Sequence, residues 1–386
     1  MKIVVLLDEQ FPFGMAAANR TLLYSKGLVE LGNDVEILIP RATERFNKIR
    51  NLKTRGIHEG VKFRYAYESI IRKSFGGRRV QNLISYFRVI VFIIRFRPNI
   101  ILVGANNIKY ILQGKICSIL VNAKLVREKS EVPFYKTESL SPFQKFRIKT
   151  EFKLFDGLMV ISGALKDFFL KDLSLKIKIV EVPIIIDSSN YISNNGSSPV
   201  RRNLVYTGSL LDHKDGVLII IRAFARILRN NPDLILVLTG DLEASVSRSE
   251  ILSLIDELNL KGKVKLPGYV SKEQLNELTT TASALLLAKP ANRQNKYNMA
   301  TKIGEYLLTG RPAVISSVDP ACNYLKHRVN VCISEPDHIQ MADEIEYILD
   351  NKSEADAIGS AGRESAAELF DYKIHALRIN EFFRKL

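Results

Sequence analysis

Short apolar runs alternate with helical patterns along this chain in two series, separated by one long polar stretch. Strands joined through helices pair in parallel, because a parallel pair needs a crossover of a dozen or more residues. Residues 2–7 are an apolar run of strand type, followed by a loop from Asp8 to Ala18. Leu22, Leu23, Leu28 and Leu31 then recur at helical spacing up to Gly32, and Val35–Ile39 is the next strand. Strand patterns continue near 61–66, 99–103, 123–127, 157–161 and 178–182. Residues 187–202, rich in Ser, Asn, Gly and Pro, read as a linker. The second series has strands near 203–207, 233–239, 263–267, 283–287, 312–316 and 329–333, and helical patterns over 215–229, 246–258, 271–280, 300–309 and 338–350. Two more helical patterns, 354–369 and 371–386, complete it. The expected fold class is α/β: two doubly wound, Rossmann-like domains, 1–190 and 191–370, facing each other across a cleft at the carboxyl ends of their strands.

A length of 386 residues suits two domains with ample cores. Arg88 and Arg95 bracket the longest apolar run, Val89–Ile94, so it cannot span a bilayer. The N-terminus turns acidic too soon for a signal peptide and reads as a first strand. Cys117, Cys322 and Cys332 have no metal or redox spacing and are expected as free thiols in a reducing cytosol. Charge is the informative bulk property. Lys and Arg outnumber Asp and Glu by 32 to 17 over residues 1–190 and balance them, 24 to 24, over the remainder. A basic half joined to a neutral half points to one domain that faces an anionic partner.

The stretch Asn298–Ser316 reads as a polar loop, a short helix capped by Asn298 or Thr301, a stop at Gly310 and a buried strand. Lys302 and Glu305 lie on one face near the helix N-terminus, which offers free N–H groups to a phosphate. Alone, the pair reads equally well as an ordinary surface ion pair. Gly208-Ser209 after one strand, with Lys214 ahead of the next helix, places a hydroxyl and an ammonium at another strand end. Gly240 and Gly268 follow two further strands and clear room along the same edge. Gly14 in the first loop either lets the backbone approach a ligand or makes a simple turn. The Gly-x-Gly-x-x-Gly dinucleotide fingerprint and the Walker Gly-Lys-Ser/Thr are both absent, which argues against a nicotinamide dehydrogenase and a P-loop ATPase.

Taken in order, Tyr206-Thr-Gly-Ser209, Lys214-Asp-Gly216, Ala223-Phe224, Thr239-Gly240, Gly268-Tyr-Val270, Thr301-Lys-Ile-Gly-Glu-Tyr-Leu307, Gly310-Arg-Pro312, Gly359-Ser-Ala-Gly-Arg363 and Phe370-Asp-Tyr372 closely resemble the nucleotide-sugar domain of glycosyltransferase family 4, retaining enzymes of the GT-B fold. The resemblance covers the second half. It implies Glu305 on the donor ribose, Lys214 on the diphosphate, Ser209 and the backbone near Thr301 facing phosphate, and Gly268, Tyr269 and Val270 against the base. It also implies that helix 371–386 crosses back to the first domain. Two departures stand out. Many members carry an acid eight positions before the ribose glutamate, where this chain has Tyr297; Asn295, Asn298 or a backbone group is then left to hold the sugar hydroxyls. Many also place a histidine after the strand at 123–127, where this chain reads Arg127-Glu-Lys-Ser-Glu-Val-Pro133. Glu128 and Glu131 are therefore the candidates for the acceptor or the sugar, with a solvated charged loop as the other reading.

Residues 84–97 combine apolar bulk with Arg88, Arg95 and Arg97, and read either as a helix resting on anionic lipid or as a crossover helix with snorkelling arginines. No nucleic-acid module is recognisable. The expectation is a retaining glycosyltransferase, cytoplasmic and peripheral on the inner face of the cell membrane. It would move sugar from a UDP- or GDP-sugar to a saccharide acceptor, lipid-linked, in cell-surface polysaccharide or glycan biosynthesis, without an obligatory metal or nucleic-acid partner. Lys214, Lys302 and helix N–H groups would neutralise the departing diphosphate. The alternatives are a sugar-nucleotide epimerase on the same scaffold and a non-catalytic, membrane-associated binding module.

Overall fold

The computed structural model of the chain describes residues 1–46, 49–137, 139–190 and 202–386. Two compact units emerge. The first holds residues 1–134, 139–185 and 372–386, and the second holds 135–138 and 186–371. The linker stretch lies mostly in 191–201, outside the described residues.

The first unit is built on eight strands: β1 (Lys2–Leu6), β2 (Asp34–Ile39), β3 (Arg55–His58), β4 (Val61–Tyr65), β5 (Ile100–Val103), β6 (Lys124–Lys129), β7 (Gly157–Val160) and β8 (Lys178–Glu181). Their order is β3-β4-β2-β1-β5-β6-β7-β8, parallel throughout except for β3 against β4. Every residue of β5 and β7 is buried, as helices on both faces require. The alternation of elements gave no sign of β3. Its Arg-Gly-Ile-His sequence has no apolar run, and it owes its pairing to the left-handed Glu59-Gly60 turn that folds it onto β4.

Helix Tyr372–Arg384 returns to this first unit and packs on helix Ala16–Glu30. Tyr372, Ala376, Ile379 and Phe383, spaced four, three and four apart, are its buried stripe. The two backbones approach closely at Gly27, where a Cβ would stand 2.4 Å from that of Ala376. Tyr372 donates its hydroxyl to Glu30 Oε1 at 2.7 Å, and Asn33 Nδ2 reaches Asn380 Oδ1 at 3.1 Å.

The second unit has six parallel strands: β9 (Asn203–Thr207), β10 (Ile235–Thr239), β11 (Val264–Gly268), β12 (Ala284–Leu287), β13 (Ala313–Ser316) and β14 (Cys332–Ser334). Their order is β11-β10-β9-β12-β13-β14. β14 starts three residues later than its apolar pattern suggests, because His327 and Val331 first pair across a tight turn. Chain order reverses between β1 and β5 in one sheet and between β9 and β12 in the other. At such a switch point the loops diverge and leave a crevice at the carboxyl ends of the strands. All three cysteines are free thiols.

Candidate functional site

The crevice of the second unit lies between the loop after β9 and the loop after β12, and short glycine-containing turns shape its floor. The Gly208 N–H bonds to Thr239 O at 3.3 Å, and the Gly240 N–H to Gly268 O at 2.9 Å, so the turns after β9, β10 and β11 lie side by side. Gly240 has φ +133°, and a Cβ there would fall 1.9 Å from the Gly208 carbonyl oxygen. Two backbone atoms cannot yield as a side chain would. Gly240→Ala is therefore expected to destabilise the second unit by about 2–3 kcal/mol, measurable as a lowered urea midpoint. Gly268 is also left-handed, with open space where a Cβ would be. Beside it Tyr269 is exposed and Val270 half-buried.

Helix Thr301–Leu308 points its N-terminus at this floor. The expected cap does not form: Ala300 occupies the capping position, and no side chain caps this end. The Asn298 side chain is drawn away to Lys289, and Thr301 is already helical. Gly310 adopts the left-handed conformation expected of a stop. Lys302 lies directly under the β9 turn, since a Cβ on Gly208 would be 2.4 Å from its Nζ. Ser209 beside it is exposed, and so is Glu305 one turn along the helix.

Lys302 is not a free cation. Its Nζ donates to Asp215 Oδ2 at 2.8 Å and stands 4.6 Å over the Tyr206 ring. The Tyr206 hydroxyl donates to the same carboxylate oxygen at 2.6 Å. Burial pushes the Asp215 carboxyl up, but the Lys302 charge, the two hydrogen bonds and the Lys214 charge outweigh it and hold the group below its ordinary value. Burial and the Asp215 charge push the Tyr206 hydroxyl well above its own, so it stays protonated as a donor. A depressed carboxyl adds stability above its unfolded pKa of about 3.9 and loses it as pH falls through the folded value. The second unit is thus expected to lose stability below about pH 4, and Asp215→Asn to flatten that part of the acid-unfolding curve. Lys214, half-buried on the loop after β9, has no ion-pair partner among the described residues and carries the uncompensated positive charge of this edge.

Periodicity gave no hint of a second, deeper pair. Lys289, after β12, is fully buried and donates to Asp319 Oδ2 at 2.8 Å, to Asn298 O at 2.7 Å and to Asn298 Oδ1 at 2.7 Å. Asp319 also accepts from the Ala300 N–H at 3.0 Å. Together they pin both ends of the loop that leads into helix Thr301–Leu308. Asn295, fully buried, gives its amide N–H groups to His213 O and Pro290 O. The side chains of Asn295 and Asn298 therefore serve the fold, and Tyr297 is buried too. The backbone is what this loop presents.

In the first unit Glu128 is the penultimate residue of β6, 9% exposed. Its Oε1 accepts from Arg20 Nε at 2.8 Å and its Oε2 from the Tyr24 hydroxyl at 3.1 Å. Arg20 in turn donates to the carbonyls of Val182 and Pro183. Glu131 is half-buried on the loop that follows. Gly14 packs within its own loop, where a Cβ would lie 2.2 Å from Gln10 O and 2.4 Å from Ala18 Cβ. Among the described residues no group of three or more His, Cys, Asp or Glu side chains is placed to hold a metal ion, and no helix is long and apolar enough to cross a membrane.

The comparisons with known proteins converge on this architecture. Residues 190–365 match the family described as glycosyl transferases group 1. Among curated proteins none matches the chain. The crystal structure of Anabaena Alr3699/HepE in complex with UDP has a TM-score of 0.75 at 16% identity over all of both chains. The sucrose-phosphate synthase of Thermosynechococcus elongatus gives 0.75 at 15%, over all of this chain and 98% of that one. A glycosyltransferase from Rickettsia africae ESF-5 gives 0.73 at 14%, over all of this chain and 98% of its own. At these identities the structural likeness is one of fold, and it agrees with the two parallel-sheet units and their switch points. The chain has the GT-B fold, and its residues 190–365 match the family of the glycosyl transferases group 1.

Proposed function

We propose that this protein transfers a sugar from a nucleoside diphosphate sugar to a saccharide acceptor, with retention at the anomeric carbon. The observation that carries the reading is the crevice between β9 and β12. There a helix N-terminus with no side-chain cap, Lys214, without an ion pair among the described residues, and the exposed Glu305 meet at one sheet edge. Alr3699/HepE, of the same fold, holds UDP and glucose in its crystal structure. The second unit, 186–371, takes the donor. Glu305 accepts from the ribose hydroxyls, Ser209 and the Thr301 backbone face the phosphates, and Gly240, Gly268, Tyr269 and Val270 border the base. Lys214, with Lys302 beneath it, balances the charge that builds on the diphosphate as the bond from C1 to the phosphate oxygen breaks. The acceptor hydroxyl attacks C1 from the same face and gives its proton to the departing phosphate. Glu128 and Glu131 serve the acceptor side, with Gly14 in the loop beyond β1.

The acceptor reading extends to the membrane. Val80, Leu83, Phe87, Val91 and Ile94 are exposed along one face of helix Phe75–Phe96, and Ile108, Leu112, Ile116 and Ile119 along one face of helix Ile108–Val121. The two helices pack together. Arg78, Arg79, Arg95, Lys109 and Lys115 are interspersed, a pattern that suits an anionic bilayer surface and a lipid-linked acceptor.

A thermal-shift panel of nucleoside diphosphates and their sugars tests the donor reading. One nucleotide is expected to raise the unfolding temperature by mass action, and no response to any of them would sink the reading. The anomer of the product decides retention. Co-sedimentation with phosphatidylglycerol vesicles, reduced by Leu83→Glu with Phe87→Glu, decides the membrane face.

A further inference from the structure

Beyond the carboxyl ends of β1, β2 and β4, the first unit has a second cavity, of about 270 Å³. Arg41, Arg45, Arg50 and Arg72 line it, with Asp8 and Glu9 as the lining acids. Arg41 Nε pairs with Asp8. The Arg72 backbone is fixed by its N–H on Glu44 O at 2.9 Å, yet its Nε is buried without a hydrogen-bond partner among the described residues. Burial, and then the neighbouring Arg41 and Arg45 charges, lower the Arg72 pKa against the opposing pull of Asp8. Arg45 is exposed and has no ion pair among the described residues. Glu44 lies fully buried beneath, satisfied by Gln10, Asn51 and the Arg50 N–H.

Four guanidinium groups against the Asp8 and Glu9 carboxylates of the lining and the Glu44 carboxylate beneath it leave one positive charge uncompensated. A phosphate monoester, at about −1.5 to −2 near pH 7, covers that excess, and its three oxygens can accept from more than one guanidinium fork, Arg72 and the exposed Arg45 among them. A carboxylate offers only two oxygens to the same forks. We propose that this cavity binds a phosphate group carried by the acceptor, so that the acceptor is a phosphorylated saccharide. The proposal rests on the first unit being the acceptor side. It needs neither the diphosphate crevice of the second unit nor the apolar helix faces.

Titration of inorganic phosphate at constant ionic strength, followed by ³¹P NMR with and without saturating UDP, tests it. With UDP present the expected result is one saturable phosphate site. Arg72→Gln should weaken it at least tenfold and Arg45→Gln a few-fold, while both variants bind UDP as the parent does. The Arg45 side chain is exposed and has no ion pair among the described residues, so its variant keeps the test alive if Arg72→Gln folds poorly. Glucose 1-phosphate should displace the phosphate. Absence of a saturable site, or equal affinity in the parent and both variants, overturns the proposal. Displacement by phosphatidylglycerol vesicles but not by glucose 1-phosphate also overturns it, in favour of a lipid headgroup. Phosphate binding without UDP binding would remove the donor reading and leave this site standing; the reverse would remove this site alone.

Discussion

Replacing Asp319 with alanine is expected to destabilise the second unit by about 3–5 kcal/mol, because it leaves the fully buried Lys289 ammonium without its counter-charge. The same change frees the Ala300 and Ala321 N–H groups, both held by that carboxylate. Chemical denaturation should show a lowered midpoint with an unchanged slope for that unit. The double variant Lys289→Met, Asp319→Leu separates charge from packing. A buried pair exchanged for apolar groups of similar volume is often neutral, so the double variant should recover much of the loss, short of the two N–H groups. If it is as unstable as Asp319→Ala, the cost lies in the caps and not in the ion pair. Because Lys289 and Asp319 also fix the loop before helix Thr301–Leu308, Asp319→Ala should weaken nucleotide binding as well, although neither residue faces the crevice.

Glu305→Ala is expected to weaken UDP or its counterpart by about 10- to 100-fold, the worth of one or two hydrogen bonds from ribose to a charged acceptor. Isothermal titration of the nucleoside diphosphate measures it. Glu305 is exposed and makes no hydrogen bond or ion pair among the described residues, so the unfolding temperature without ligand should barely move. Unchanged affinity would leave the crevice as a shape without its ribose contact and return weight to a non-catalytic binding module. Glu305→Gln, which keeps an acceptor oxygen but not the charge, should fall between the two.

Much of this site was legible because its parts are local. The helix at 301–308, the Gly310 stop, and the glycines after β9, β10 and β11 follow from spacing and backbone chemistry within a few residues. What could not be read depends on partners far away in sequence. Lys302 looks like a partner of Glu305 or of a phosphate until Asp215, 87 positions earlier, is brought to it. Asn298 looks like a cap until Lys289 claims its side chain. Tyr297 stands where an acid was expected, and its burial shows that the loop turns that position inward. The arginine cavity gathers residues from three separate loops, and along the chain they are four among many basic residues. Strand β3 escaped notice because a turn, and not an apolar run, creates it.

The placement of helix Tyr372–Arg384 has a consequence for how the protein is made. The second unit begins and ends side by side, with Ile186 bridged to Asp371 and Ser188 bonded to the Asp371 carboxylate. It is an insertion with adjoining ends inside the first unit, whose closing helix follows it in the chain. On the ribosome the second unit therefore has all its residues first. Until residues 372–386 emerge, Gly27 and the face of helix Ala16–Glu30 around it have nothing to pack against. The unit that starts the chain is thus completed last, after the second unit has all its residues.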